Sequence, residues 1–170
     1  MSGATQTGRA FVYGDGIDTD VLAPGHAMKL GPDGLARHCL EAIDPEFASN
    51  VRPGDLVFAG ADFGIGSSRE QAAISLKKLG VAAVFARSFA RIFYRNAINI
   101  GLPALIFPHD GAVSAGDRIS LDLAAGRVTN ITTGKAYPVS PMPEHLRNMI
   151  EAGGLMESLK ARFGAREAVS

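Results

Sequence analysis

The sequence predicts an α/β fold with a mostly parallel core, a small antiparallel β addition and a helical C-terminus. Three observations carry this. Strand-like and helix-like segments alternate from Leu56 to Phe107, which implies parallel pairing with right-handed crossovers. The apolar runs Leu56-Val57-Phe58-Ala59 and Val81-Ala82-Ala83-Val84-Phe85-Ala86 have no polar alternation, as expected of strands covered on both faces. After Pro108 the pattern changes to a period of two in Asp117-Arg118-Ile119-Ser120-Leu121-Asp122-Leu123.

Arg9 to Tyr13 reads as the first strand, and the turn Gly14-Asp15-Gly16 ends it. Ile17 to Ala23 runs into a second turn at Pro24-Gly25, and 26–34 reads as an exposed loop. A helix is expected over 34–42, closed by Asp44-Pro45, with a further turn at Pro53-Gly54-Asp55. The following elements are strand 56–60, helix 68–79, strand 81–86, helix 88–99 and strand 103–107.

Two helices have specific support. Ser67-x-x-Glu70 and Ser68-x-x-Gln71 both have capping-box spacing, while Ala72, Ala73, Leu76 and Leu79 share one face. Lys77, Lys78 and Gly80 suit that helix's C-terminus. Ser88 is an expected N-cap for the next helix, whose buried stripe is Phe89, Ile92, Phe93, Asn96 and Ile100. Arg87, Arg91 and Arg95 share the opposite, solvated face. Residues 126–133 are expected to pair with 117–123 as a hairpin, and His145 to Phe163 reads as helix interrupted at Gly153-Gly154. The expected organisation is one domain over residues 1–170.

Composition excludes several function classes. Lys+Arg and Asp+Glu balance at 17 each, so there is no basic face for nucleic acid. No apolar run has membrane-spanning length, and the polar stretch Met1 to Gly8 is unlike a signal peptide, so the cytoplasm is the expected compartment. The single cysteine, Cys39, allows no intramolecular disulfide and no Cys-ligated cluster within this chain. His26, His38, His109 and His145 are scattered singly along the sequence, so no metal site is assigned. Dinucleotide, P-loop and nucleophile-elbow patterns all fail on spacing.

The densest chemistry lies in Phe63-Gly64-Ile65-Gly66-Ser67-Ser68-Arg69-Glu70-Gln71. Glycines there allow close backbone approach, a helix N-terminus favours an anion, and Arg69 offers a planar fork for a carboxylate or phosphate. A small anion is the expected ligand. In such sheets, ligands sit beyond the carboxyl ends of the strands, where 62–69 and 87–91 fall.

Taken with Gly14-Asp15-Gly16-Ile17-Asp18-Thr19-Asp20, Gly54-Asp55 and the segment from Ser88 to Leu102, this stretch resembles the small subunit, or swivelling domain, of the aconitase family. Within that family the likeness is to stand-alone small subunits of the 3-isopropylmalate dehydratase type. The resemblance implies a swivelling β/β/α fold and a heteromeric hydro-lyase of branched-chain amino acid (leucine) biosynthesis. It implies a separate large subunit carrying a 4Fe-4S cluster and a hydroxy di- or tricarboxylate as substrate. By the same resemblance Ser67 is the base, Arg69 the carboxylate clamp with Ser68 and Gly66 in support, and Thr19 and Asp20 line the cleft. Met28 and Lys29 fall in the loop that reads the substrate. There the chain has Ala27-Met28-Lys29-Leu30 where isopropylmalate-type relatives usually have Tyr-Leu-Arg-Thr, so the substrate stays open. A carboxylate-binding module without catalysis and a purely structural or regulatory subunit remain the other readings.

Overall fold

The computed structural model describes residues 6–161. Seven strands form one sheet in the order β4-β3-β2-β1-β5-β6-β7. The strands are β1 (Gln6–Val12), β2 (Leu56–Phe58), β3 (Ala83–Ala86), β4 (Ala104–Ile106), β5 (Arg118–Asp122), β6 (Arg127–Asn130) and β7 (Lys135–Pro138). β1 to β4 pair in parallel, and β5 to β7 continue as an antiparallel meander. β1 belongs to both halves. Its first residues pair antiparallel with β5 (Thr7 opposite Ser120), and its last pair parallel with β2 (Ala10 opposite Leu56).

The apolar runs are buried on both faces, as their composition predicts. Val57, Val84 and Ala86 point to one core with Phe47, Phe63, Leu76 and Phe93. Leu56, Phe58, Ala83 and Phe85 point to the other, with Phe107, Ile119, Leu121 and Val128. The Phe58 and Phe85 rings stack with centroids 4.5 Å apart, and Phe107 closes on both edge-to-face. Asp55 joins β1 to β2 at their amino ends. Its carboxylate accepts from the Arg9 and Arg52 amides and from the Arg9 guanidinium, at 2.8–3.0 Å.

Several segments differ from expectation. Thr19–Leu22 forms a one-turn helix, α1, because Asp18 stays extended and its carboxylate accepts from the Val21 amide at 2.8 Å. The stretch expected as an exposed loop is helical: a 3-10 helix at Gly25–Leu30 leads into α2 (Gly31–Ala36), which Pro32 starts. The helix expected over 34–42 therefore ends at Ala36, and turns follow it. A short helix α3 (Phe47–Asn50) precedes β2.

The helices after β2 and β3 begin late. α4 spans Gln71–Lys78 and α5 spans Arg91–Asn99, and neither has a side-chain cap. Ser67, Ser68 and Ser88 thus cap nothing. On α5 the buried residues are Phe93, Ala97 and Ile98, while Ile92 is exposed, which corrects the expected stripe. Lys77, in the last turn of α4, donates to the carbonyls of Ile100 and, at 2.8 Å, Gly153, tying α4 to the chain after α5. α6 (Glu144–Glu151) is followed by helix over 155–161, and the end of the expected C-terminal helix, through Phe163, lies outside the described residues. Among the described residues no helix is long and apolar enough to cross a membrane.

Candidate active site

Three loops leave the carboxyl ends of adjacent parallel strands and are joined by backbone hydrogen bonds. The loop after β1 and the loop after β2 alternate as donor and acceptor. Gly60 donates to Gly14, Gly16 to Ala61, Gly64 to Ile17 and Thr19 to Ile65, at 2.7–3.0 Å. The Asp15 carboxylate accepts from the Ala61 amide at 2.7 Å. The loop after β3 completes the layer. Phe63 donates to the Ser88 carbonyl, Ala90 to the Phe63 carbonyl, and Asp62 donates its amide to Ser88 Oγ at 2.8 Å. Ser88 is therefore a fastener between loops rather than a helix cap.

This lattice fixes the Gly-rich segment where side chains leave no space. Gly64 has φ +83°, and a Cβ there would lie 2.3 Å from Phe93 Cβ and Cγ. Gly66 has φ +110°, and its Cβ would come within 2.9 Å of Thr19 Oγ1. The backbone consequently lies flat against α1 and presents Ser67 and Ser68 outward, both exposed.

Of the residues singled out from the sequence, four meet in one place. Ser67 Oγ and Thr19 Oγ1 are 3.3 Å apart. Arg69 Nη1 donates to Asp20 Oδ1 at 3.0 Å and to the Ala23 carbonyl at 2.9 Å. The Gly25 amide donates to the same Asp20 oxygen at 3.0 Å. Arg69, then the Gly25 amide, hold the Asp20 carboxyl below its ordinary 3.8. Arg69 is thus oriented by one carboxylate and one carbonyl of α1 and its end. The sequence argument that Ser67 sits at a helix N-terminus does not hold, because α4 starts at Gln71. Nor is Arg69 Nη1 turned to Ser67.

Met28 and Lys29 are not beside these groups by any hydrogen bond among the described residues. Met28 is half-buried against the core, and Lys29 is exposed on the 3-10 helix. Ala27 is fully buried in the core, so it opens no space in a cleft.

The histidines are not scattered in space. His26 Nε2 lies 3.2 Å from Glu41 Oε1, and His38 Nδ1 lies 2.7 Å from Glu41 Oε2. Sequence reasoning missed this group because the fold back through α2, not a regular spacing, brings Gly25–Leu30 onto the turn after Arg37. It also missed Ala23 and Gly25, which contribute only backbone atoms. Cys39 is buried and its thiol is pushed up by burial, which leaves it chemically quiet.

Known proteins resemble this chain in sequence and in fold. The Aconitase C-terminal domain family matches residues 36–110. A 3-isopropylmalate dehydratase small subunit from Nautilia profundicola is 50% identical over 155 residues, covering 91% of this chain and 93% of that one. The chain belongs to the 3-isopropylmalate dehydratase small-subunit family of aconitase-type proteins. A methanogen homoaconitase small subunit from Methanothermobacter thermautotrophicus is 48% identical, over 88% of this chain and 87% of its own. The crystal structure of 3-isopropylmalate dehydratase (LeuD) from Methanocaldococcus jannaschii superposes with a TM-score of 0.91 at 40% identity. It covers 98% of this small subunit and all of that chain. The expected swivelling-domain fold is therefore the observed one.

Proposed function

We propose that this chain, working as one swivelling domain over residues 1–170, is the small subunit of a cytoplasmic two-subunit hydro-lyase. Its reaction adds or removes water across a carbon–carbon bond of a hydroxy di- or tricarboxylate, in the manner of 3-isopropylmalate dehydratase of leucine biosynthesis. The observation that carries the reading is the convergence of Ser67, Thr19, Arg69 and Asp20 on the loops beyond the carboxyl ends of β1 and β2. Relatives named for two different substrates are nearly equally similar to this chain, so the acid itself is assigned only by class.

The donor set of this chain does not suit a 4Fe-4S cluster. Its one cysteine is buried and its thiol is held in the protonated form. On this reading the cluster belongs to the large partner subunit, and this chain acts on the carbon side of the reaction. Ser67, acting as its alkoxide, takes the proton from the carbon next to a carboxylate and becomes the hydroxyl, the Thr19 hydroxyl donating to the serine oxygen, while hydroxide leaves the neighbouring carbon on the partner's side. Arg69, pre-set by Asp20 and Ala23, grips a substrate carboxylate, and Ser68 with the Gly66 backbone borders the same site. Met28 and Lys29 border the substrate's variable end. Ser67 is exposed here, so the partner's surface supplies the dry enclosure that a serine base requires.

The test is Ser67→Ala in the reconstituted two-subunit enzyme, assayed with a panel of hydroxy acids. Loss of turnover with substrate affinity largely kept is the expected result. Wild-type turnover in that variant would overturn the role of Ser67. Carboxylate binding by the isolated chain, with no partner recovered from its own cell extract, would favour the non-catalytic binding module.

A further inference from the structure

We infer that His26, His38 and Glu41 form a binding site for one first-row transition-metal dication, with Zn2+ as the reference ion, on the outer face of the 3-10 helix. This inference is independent of the hydro-lyase reading. The three donor atoms already lie within 4.8 Å of one another. The Glu41 carboxylate uses one oxygen for each imidazole, and the two rings stand edge-to-face with centroids 5.5 Å apart. With metal–ligand bonds of about 2.0–2.1 Å, tetrahedral donors sit roughly 3.4 Å apart, so modest closure is needed. His26 can supply it, because its side chain is 67% exposed, whereas His38 and Glu41 are held at 33%.

Two imidazoles and one carboxylate favour zinc or its neighbours over magnesium or calcium, which take oxygen ligands. Three protein donors leave a fourth position for water or another ligand. Each imidazole coordinates through the nitrogen that now faces Glu41, and a neutral ring keeps its proton on the other nitrogen. The consequence is mechanical. A bound ion fastens the segment carrying Met28 and Lys29 to the turn after α2, one residue from Gly25, whose amide holds Asp20.

The experiment is Zn2+ titration of the full, untagged chain against a chromophoric chelator, with Co2+ absorption as a second readout. One Zn2+ per chain is expected, with affinity falling by about tenfold or more in His26→Asn and again in Glu41→Gln, as loss of a metal contact does. His145→Asn should leave affinity unchanged, and amide exchange over 25–30 should slow when Zn2+ binds. Failure to compete for Zn2+ would overturn the site and leave a His–Glu–His hydrogen-bonded group only. Uptake that His26→Asn and Glu41→Gln leave unaltered would equally overturn it.

Discussion

Replacing Gly64 by Ala separates two forces that hold the Gly-rich loop. The first is conformational: φ of +83° costs an L-residue about 1–2 kcal/mol. The second is steric. The new methyl would stand 2.3 Å from Phe93 Cβ and Cγ, and Phe93 is buried with Phe63 and Phe89 packed on its ring. Overpacking of this kind adds about 1–3 kcal/mol, so a total near 3 kcal/mol is expected. At 2–4 °C per kcal/mol for this size of protein, the melting temperature should fall by roughly 6–12 °C. Gly16→Ala isolates the first force, since Gly16 has φ +70° and nothing within 4 Å of the added carbon. It should cost about 1–2 kcal/mol. Gly14→Ala, in open space without a positive φ, should be neutral or stabilising by about 0.5 kcal/mol. Urea unfolding followed by circular dichroism, with a common slope for all three, measures the series. If Gly64→Ala proves no worse than Gly16→Ala, Phe93 does not constrain the loop and the steric half of the reasoning is refuted.

Other outcomes follow from single groups. Ser75 is buried on α4, and its Oγ has no hydrogen-bond partner among the described residues. Ser75→Ala should therefore raise stability by about 1 kcal/mol, seen as a higher urea midpoint. Cys39 should resist Ellman's reagent in the native chain and react stoichiometrically once guanidinium unfolds it; fast native reaction would contradict its burial. The Asp117 carboxyl is held below 3.8 by the Ser114 amide and then by the buried Asn130 amide. A carboxyl lowered on folding stabilises the native state above its ordinary pKa and loses that contribution as pH falls through the folded value. Asp117→Asn should accordingly flatten the loss of stability between roughly pH 5 and pH 2.

The sequence announced the sheet's parallel half and obscured its seam. Leu56 to Ala59 and Val81 to Ala86 are apolar on both faces, so burial could be read directly from them. The first strand begins earlier than its apolar residues suggest, because the inward residue at its start is Gly8. No side chain fits there: a Cβ on Gly8 would meet the Gly54 carbonyl at 2.0 Å. The serines misled for a different reason. Hydroxyls at capping spacing say only that a helix could start there, and the lattice between 14–19 and 60–66 keeps that segment out of helix until Gln71. Ser67 and Arg69 could be singled out because their loop is dense in glycine, hydroxyls and charge, whereas Thr19 and Asp20 came only through the family resemblance. The His26–Glu41–His38 group could not, since nothing in a twelve-residue separation signals a fold back through α2.

β1 bears on how the chain assembles during synthesis. It leaves the ribosome before the other six strands, yet it ends in the interior of the sheet between β2 and β5. Its parallel neighbour, Leu56 to Phe58, emerges well before its antiparallel neighbour around Ser120. For that interval the backbone of Gln6 to Arg9 is an unpaired edge open to another nascent chain. Translation speed across the segment before β5 therefore sets how long each newborn molecule stays vulnerable to strand exchange with its neighbours on the same message.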